Sequence, residues 1–364
     1  MSLIATRLQS LRVNNPNFDR NMTRPQEYGA LDFFVSETNS PTGIVSPDLK
    51  TKAFASMGNT VEIPVIDYDG DVTVANVRSC TIADNENTSA LFTIVWATLA
   101  VGFTMVPSLY LNNEISYDHD WARKVEKISR AMANKLDQLA VAALEARKTQ
   151  VFQEELYYTI TGNSVQVPWD MREDILSDIN SMERANEYSG QIHLIGNAGV
   201  DSMIRKMAEK GLYNEVNKQL EYSDKVLHFT NNVVNDTDVF ATLYAIPSGH
   251  VGVITRVDRE ALLRSRYNEH EWDVVQLPFI GIPVGAHYYT SVGDQSAIAG
   301  DASADMTCNG KEHYGFSVDV CFLVAYNSDP TTIADPIIKA EIAKSESDVP
   351  TARPVIVVNA EDFA

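Results

Sequence analysis

The carboxylates of Asp67, Asp69 and Asp71, in the run Asp67-Tyr68-Asp69-Gly70-Asp71, have the alternate spacing with which a calcium loop begins. Such a loop needs glycine at its sixth position and glutamate at its twelfth, so that the chain turns sharply and a bidentate ligand closes the cage. Counted from Asp67, the glycine is fourth and the twelfth residue is Arg78, which makes the run a plain acidic turn. His250 follows Ser248, the pairing a hydroxyl nucleophile would need, but a triad also requires an acid and an oxyanion hole. His270 sits among Glu269, Glu271 and Asp273, where the residues could hold a metal but a solvated loop is the expected reading. Gly196 and Gly199 lie between a strand pattern and a helix pattern, a layout that cradles phosphate. No Walker lysine or third glycine accompanies them, so an ordinary strand–turn–helix is expected. His193 and His228 fall in strand patterns as sheet or core histidines. GxSxG, HExxH and dinucleotide fingerprints do not occur. The residues therefore define no catalytic set, no metal ligand set and no cofactor site.

What would position such residues is organised around one stretch, Asp118 to about Phe152. Trp121, Val125, Ile128, Met132, Leu136, Leu139 and Ala143 recur at steps of three and four, which places one apolar stripe on a helix and charge on the other face. No glycine or proline interrupts it, and Asp118 or Ser116 can cap its first amides. At about 1.5 Å per residue the helix would be roughly 50 Å long, a rod for an elongated subunit.

Before the rod, residues 1–35 read as an arm: a short amphipathic piece (Ile4, Leu8, Leu11) followed by irregular chain. Arg7, Arg12, Arg20 and Arg24 make it basic. Organelle transit peptides share that bias, and an arm lying on an acidic neighbouring copy explains it equally. Residues 36–58, rich in Pro, Gly, Ser and Thr, read as a connector. VEIPVI and DVTVANVRSC flank Asp-Gly as a hairpin would. Residues 87–113 carry no charged residue and are long enough for a membrane span. Their threonines, Gly102, Pro107, many β-branched residues and acidic flanks favour buried strands instead. After the rod come a short β piece (156–167), a helix (171–188), a strand (191–196), a helix (201–211), strands at 226–257, a short helix DREALLRSRYN, an uncharged Pro/Gly-punctuated run (274–293), a strand YGFSVDVCFLVAYNS and a last strand in RPVIVVNAEDF.

The net charge of −20 opposes nucleic-acid binding as the main activity, because phosphates would be repelled. Cys80, Cys308 and Cys321 form no CxxC pair and leave one over, which points to a reducing compartment. With 364 residues of ordinary apolar content, a sizeable core is available.

The order of these parts resembles the major capsid proteins of tailed bacteriophages, the HK-ninety-seven-type fold shared with encapsulin shells and the herpesvirus capsid floor. GNTVEIPV (58–65), the return strand SALFTIVWATLAV (89–101), the helix ISRAMANKLDQLAVAALE (128–145), IHLIGNAGVDSMIRKM (192–207) and GFSVDVCFLVAYNS (315–328) carry the resemblance. It implies an α+β fold with an N-terminal arm (1–35), an extended β-hairpin loop and flanking strands (36–115), a long spine helix with the peripheral domain (116–165), an axial domain (166–290), and return strands with a C-terminal segment (291–364). It also implies many copies of the chain, as hexamers and pentamers, enclosing double-stranded DNA without specific binding, with a portal and with no membrane or cofactor. A separate scaffolding protein is expected, since no domain-sized segment precedes the arm. No lysine lies between Lys52 and Lys124, so crosslinks from the extended loop are not expected. The residues expected to serve assembly are Asp67, Asp69 and Asp71 at the loop turn, Arg7 and Arg12 on the arm, and Trp121 and Leu136 on the helix stripe. An encapsulin-like shell around protein cargo, and a soluble α/β hydrolase using His250, are the alternatives.

Overall fold

The computed structural model describes residues 3–14, 28–41, 43–55, 60–66, 89–110, 116–148, 158–185, 188, 190–207, 221–222, 225–257, 270–292, 310–325 and 336–345. Helix α1 is Leu3–Asn14, α2 Gly29–Asn39, α3 Pro47–Ala55 and α4 Tyr117–Ala146. The rod α4 starts where Ser116 Oγ accepts from the amide of His119, so the serine and not Asp118 is the cap. It has 30 residues, about 45 Å, and ends at Ala146, short of the expected Phe152. Its buried stripe runs through Trp121, Val125, Ile128, Met132, Leu136, Ala140 and Leu144. Leu139 and Ala143, expected on the stripe, are only partly buried. The reason is geometric: repeated four-residue steps rotate the stripe by about 40° each, so it winds around the helix. That winding lets one end of α4 pack under one sheet and the other end reach a second.

Strands β3 (Ala97–Met105), β10 (Val251–Arg256), β11 (His270–Gln276), β12 (Pro283–Val292) and β13 (Gly310–Val324) form the first sheet. β13 is its axis. One edge pairs with β3, from Ala97↔Val320 to Met105↔Glu312, and the other is shared end to end by β12 and β10. Tyr314, Phe316, Val318 and Val320 turn one face onto α4, where Trp121 meets Phe103 and Tyr314 edge-to-face. The uncharged run 87–113 thus resolves, in its described part, into strands followed by a short 3-10 turn at Pro107–Tyr110, as its β-branched content and its proline favour. No helix among the described residues is long and apolar enough to cross a membrane.

The second sheet has the order β4-β5-β14-β9-β6-β8-β7, built from Thr159–Thr161, Ser164–Val167, Ile338–Ala343, Val239–Pro247, Ile192–Gly196, Lys225–Phe229 and Glu221–Tyr222. Helices α5 (Ile175–Ala185) and α6 (Ala198–Met207) share its apolar core through Ile175, Leu176, Ile179, Met203 and Ile204. Gly162 and Asn163 both take positive φ, the turn that a two-residue hairpin between β4 and β5 demands. α4 reaches this sheet at its far end, where Glu145 accepts from Tyr244 Oη at 2.6 Å and pairs with Lys339 at 3.2 Å.

Several expectations are corrected. The connector 36–58 contains all of α3 and the end of α2; Phe33 and Phe34 of α2 are completely buried. Gly29 opens α2 because a Cβ there would collide with the backbone of Phe229, which runs alongside. Residues 159–161, 164–167 and 338–343 belong to the second sheet, and 251–256, 270–276 and 283–292 supply strands of the first. Strand partners are chosen by distant contacts, which no local pattern records. The helix expected at 258–268 and the strand in RPVIVVNAEDF lie outside the described residues.

Candidate assembly surface

Strands β1 (Thr60–Ile66) and β2 (Ser89–Val95) pair antiparallel in unbroken register, from Thr60↔Val95 to Ile66↔Ser89. Among the described residues they pair only with each other, as a two-stranded ribbon outside both sheets. VEIPVI therefore finds its partner in residues 89–95, and the expected strand 71–80 lies outside the described residues together with the turn carrying Asp67, Asp69 and Asp71.

The ribbon is held at its root. Ile94 is fully buried with Val45, Ala53, Ile254, Cys321 and Leu323. Trp96 follows, under the guanidinium of Arg256 at 4.7 Å, and Arg256 pairs with Asp319 at 2.9 Å. Thr98 donates to the same carboxylate at 2.7 Å. Between these root residues Val95 turns outward and is 69% exposed, and further along the ribbon the facing pair Glu62 and Thr93 is exposed.

The arm's first helix is docked on its own subunit. Ile4 and Leu8 are buried, and Arg7 donates to Tyr117 Oη at 2.7 Å, to Tyr314 Oη, and to Glu312 at 3.3 Å. The acid expected on a neighbouring copy is, for Arg7, Glu312 of its own chain. Burial pushes the Glu312 carboxyl up, but hydrogen bonds from Tyr117 and Tyr314 and the Arg7 charge outweigh it and hold it below its ordinary value. Burial and the bond to Glu312 raise Tyr117 to about 12. The Arg12 side chain lies outside the described residues. Trp121 and Leu136 are buried inside the subunit, so what they can give assembly is a rigid rod.

A buried carboxylate that the sequence reading missed locks the rod to the arm side. Asp137 Oδ1 accepts from the amide of Leu31 at 2.9 Å, and Oδ2 accepts from Thr230 Oγ1 and from Asn232 Nδ2 at 2.7 Å. Burial raises its pKa while these bonds pull the other way. The one available signal was an aspartate beside Leu136 within the apolar face.

His193 Nδ1 and His228 Nε2 lie 2.9 Å apart, both rings lie tilted against Phe33, and Glu37 is 4.0 Å from His193. Glu37 also accepts from the amide of Gly249 at 2.5 Å, so α2 is fastened to the turn between β9 and β10. Burial and the neighbouring His193 push His228 down to about 3; burial lowers His193, with Glu37 acting against it. In the unfolded chain both rings protonate near 6.5, so below that pH the unfolded state binds more protons and native stability falls. The stability linked to His228 is complete above 6.5 and is lost as pH falls toward its folded value. Denaturant titrations at pH 7 and pH 5 should differ by about 2 kcal/mol on its account. His228→Asn should shrink that difference; an unchanged difference would contradict the buried neutral ring.

The other candidates for chemistry are otherwise occupied. His250 Nδ1 faces the carbonyls of Pro247 and Ser248, and Ser248 Oγ is 3.4 Å from Glu37, so the hydroxyl and the imidazole are not joined. Asn197 Oδ1 accepts from the amide of Gly199, and Gly199 is needed where α6 lies against the backbone of Phe240. The strand–turn–helix is thus closed by its own asparagine. Among the described residues His270 is joined to no acid: its Nδ1 lies 2.7 Å from His287 Nε2, while Glu271 turns to the other face and accepts from the amide of Leu3.

No family model matches the chain. No curated protein matches it either. Among solved structures, one from Mycobacterium phage Bobi aligns at 12% identity over 89% of this chain and 93% of its own, with a TM-score of 0.47. The Cyanophage Pam1 capsid asymmetric unit aligns at 10% identity over 84% and 90%, with a TM-score of 0.46. The capsid of Ralstonia phage GP4 aligns at 9% identity over 79% and 84%, with a TM-score of 0.45. These are distant likenesses of chain path, and no residue's role is carried over from them.

Proposed function

We propose that this chain is the major capsid protein of a tailed DNA bacteriophage, many copies of which close as hexamers and pentamers into an icosahedral head around a double-stranded genome. The observation that carries the reading is the ribbon β1–β2, rooted at Ile94 and paired with no further strand among the described residues. A two-stranded ribbon is marginal in water by itself and needs cover. In an extended subunit that cover comes from another copy, by packing or strand addition. The rod of about 45 Å ties the two sheets into one tile. The first sheet with α4 forms the peripheral part, and the second sheet with α5 and α6 forms the axial part near the local symmetry axes. A wall with a net charge of −20 confines DNA without gripping it. Cohesion is non-covalent, a separate scaffolding protein and a portal complete assembly in the host cytoplasm, and the product is the virion shell.

Electron microscopy of particles formed by the expressed chain, with its scaffold where one is required, tests the reading. Closed shells built of hexameric and pentameric rings are expected. A monodisperse monomer that turns over esters or phosphates would contradict it.

A further inference from the structure

Only one face of the first sheet is covered by α1 and α4. On its other face, at the end away from α3, five rings line up across three strands: Trp272 and His270 on β11, His287 and Tyr289 on β12, and His313 on β13. Trp272 stacks flat on His287, with ring centres 3.7 Å apart and planes 4° apart. Tyr289 stacks on His270 at 5.0 Å and on His313 at 4.4 Å. Because the rings cover one another's faces, what the cluster offers is the nitrogen-bearing edges of the imidazoles. His270 Nδ1 and His287 Nε2 point at each other across 2.7 Å, on adjacent strands that cannot drift apart.

From this geometry we infer that His270 and His287 form a two-imidazole site for a divalent transition-metal ion of the copper, nickel or zinc class. Two metal–nitrogen bonds of about 2.0–2.1 Å at a right angle put the nitrogens about 3 Å apart, so binding widens the present gap slightly and swings the two nearly coplanar ring edges toward a common point beside the line that now joins them. The proton now shared between the rings moves to the far nitrogen of its own imidazole, so two neutral rings ligate with no net proton release. Aromatic packing fixes both ring planes in advance, which reduces the ordering cost of binding. No group of three or more His, Cys, Asp or Glu suited to a metal occurs among the described residues, so the remaining positions are filled by water. Imidazole donors select copper, nickel and zinc over magnesium or calcium, with copper bound best. His193 and His228 form a similar pair, but His193 is 8% exposed beneath Phe33 and Glu37, leaving no room for an ion and its waters.

Titration of the full-length chain with copper(II), nickel(II), zinc(II) and magnesium(II) tests this. One copper ion per chain is expected, showing two nitrogen couplings by electron paramagnetic resonance, with weaker nickel and zinc binding and no magnesium binding. His270→Asn and His287→Asn should each lower copper affinity at least tenfold, and His193→Asn should leave it unchanged. Tyr289→Phe, which keeps the stack, should bind as the native chain does, and circular dichroism melts of the histidine variants that match the native chain's separate lost ligation from loss of the sheet. Copper bound equally by His287→Asn, or through one nitrogen only, would overturn the assignment, as would dependence on His193.

Discussion

Replacing Val65–Ala90 with Asn-Gly, so that Pro64 turns directly into Leu91, is expected to abolish shells and leave the subunit folded. Pro64 and Leu91 are cross-strand partners, so a two-residue turn closes the shortened ribbon without disturbing its register. Its root survives, because Ile94, Trp96 and the Arg256–Asp319 pair lie below the cut. The melting temperature should stay within about 3 °C, which corresponds to no more than about 2 kcal/mol for a chain of this size. Light scattering and electron microscopy should then find monomers or small rings and no closed particles. Normal shells from this variant would show that the ribbon is not what joins the copies.

Leu136→Asp is expected to have the opposite character, removing the folded subunit itself. Leu136 is completely buried midway along α4 and packs in the core shared with α1, α2 and the first sheet. An unpaired carboxylate there costs several kcal/mol, a large part of a typical domain's whole stability. It would also lie next to Asp137, adding like-charge repulsion to a site already holding one buried acid. Leu136→Met, similar in volume and apolar, should cost less than about 1.5 kcal/mol. Circular dichroism melts of the two variants check this, and an unchanged melting temperature for the aspartate variant would mean that the stripe is not buried.

The parts legible in the sequence were those with a long, regular period. The rod announced itself by its apolar steps and lack of Gly or Pro, and β13 by a long β-branched run. β14 was missed because it is short and charged: in Ile338–Ala343, Lys339 and Glu341 alternate with buried residues and pair with each other at 2.8 Å. Only its partners β5 and β9, far away in the chain, make it an interior strand. α2 was hidden for a related reason, since its helix holds β-branched and aromatic residues of weak propensity and is stabilised by burying Phe33 and Phe34. At the candidate surface, the pairing of 60–66 with 89–95 was read through resemblance, while the local Asp-Gly signal suggested a nearer partner. Asp137 and the two histidine pairs could not be read at all, because each joins residues from elements distant in sequence.

Hydrogen–deuterium exchange along residues 60–66 and 89–95, compared between free subunits and assembled particles, probes the missing cover most directly. Amides of the free ribbon should exchange quickly, since a lone strand pair opens readily, and should slow at least tenfold on assembly. Amides of α4 should be slow in both. Ribbon amides already protected in the free subunit and unchanged in the particle would mean that the chain completes its own surface and needs no second copy.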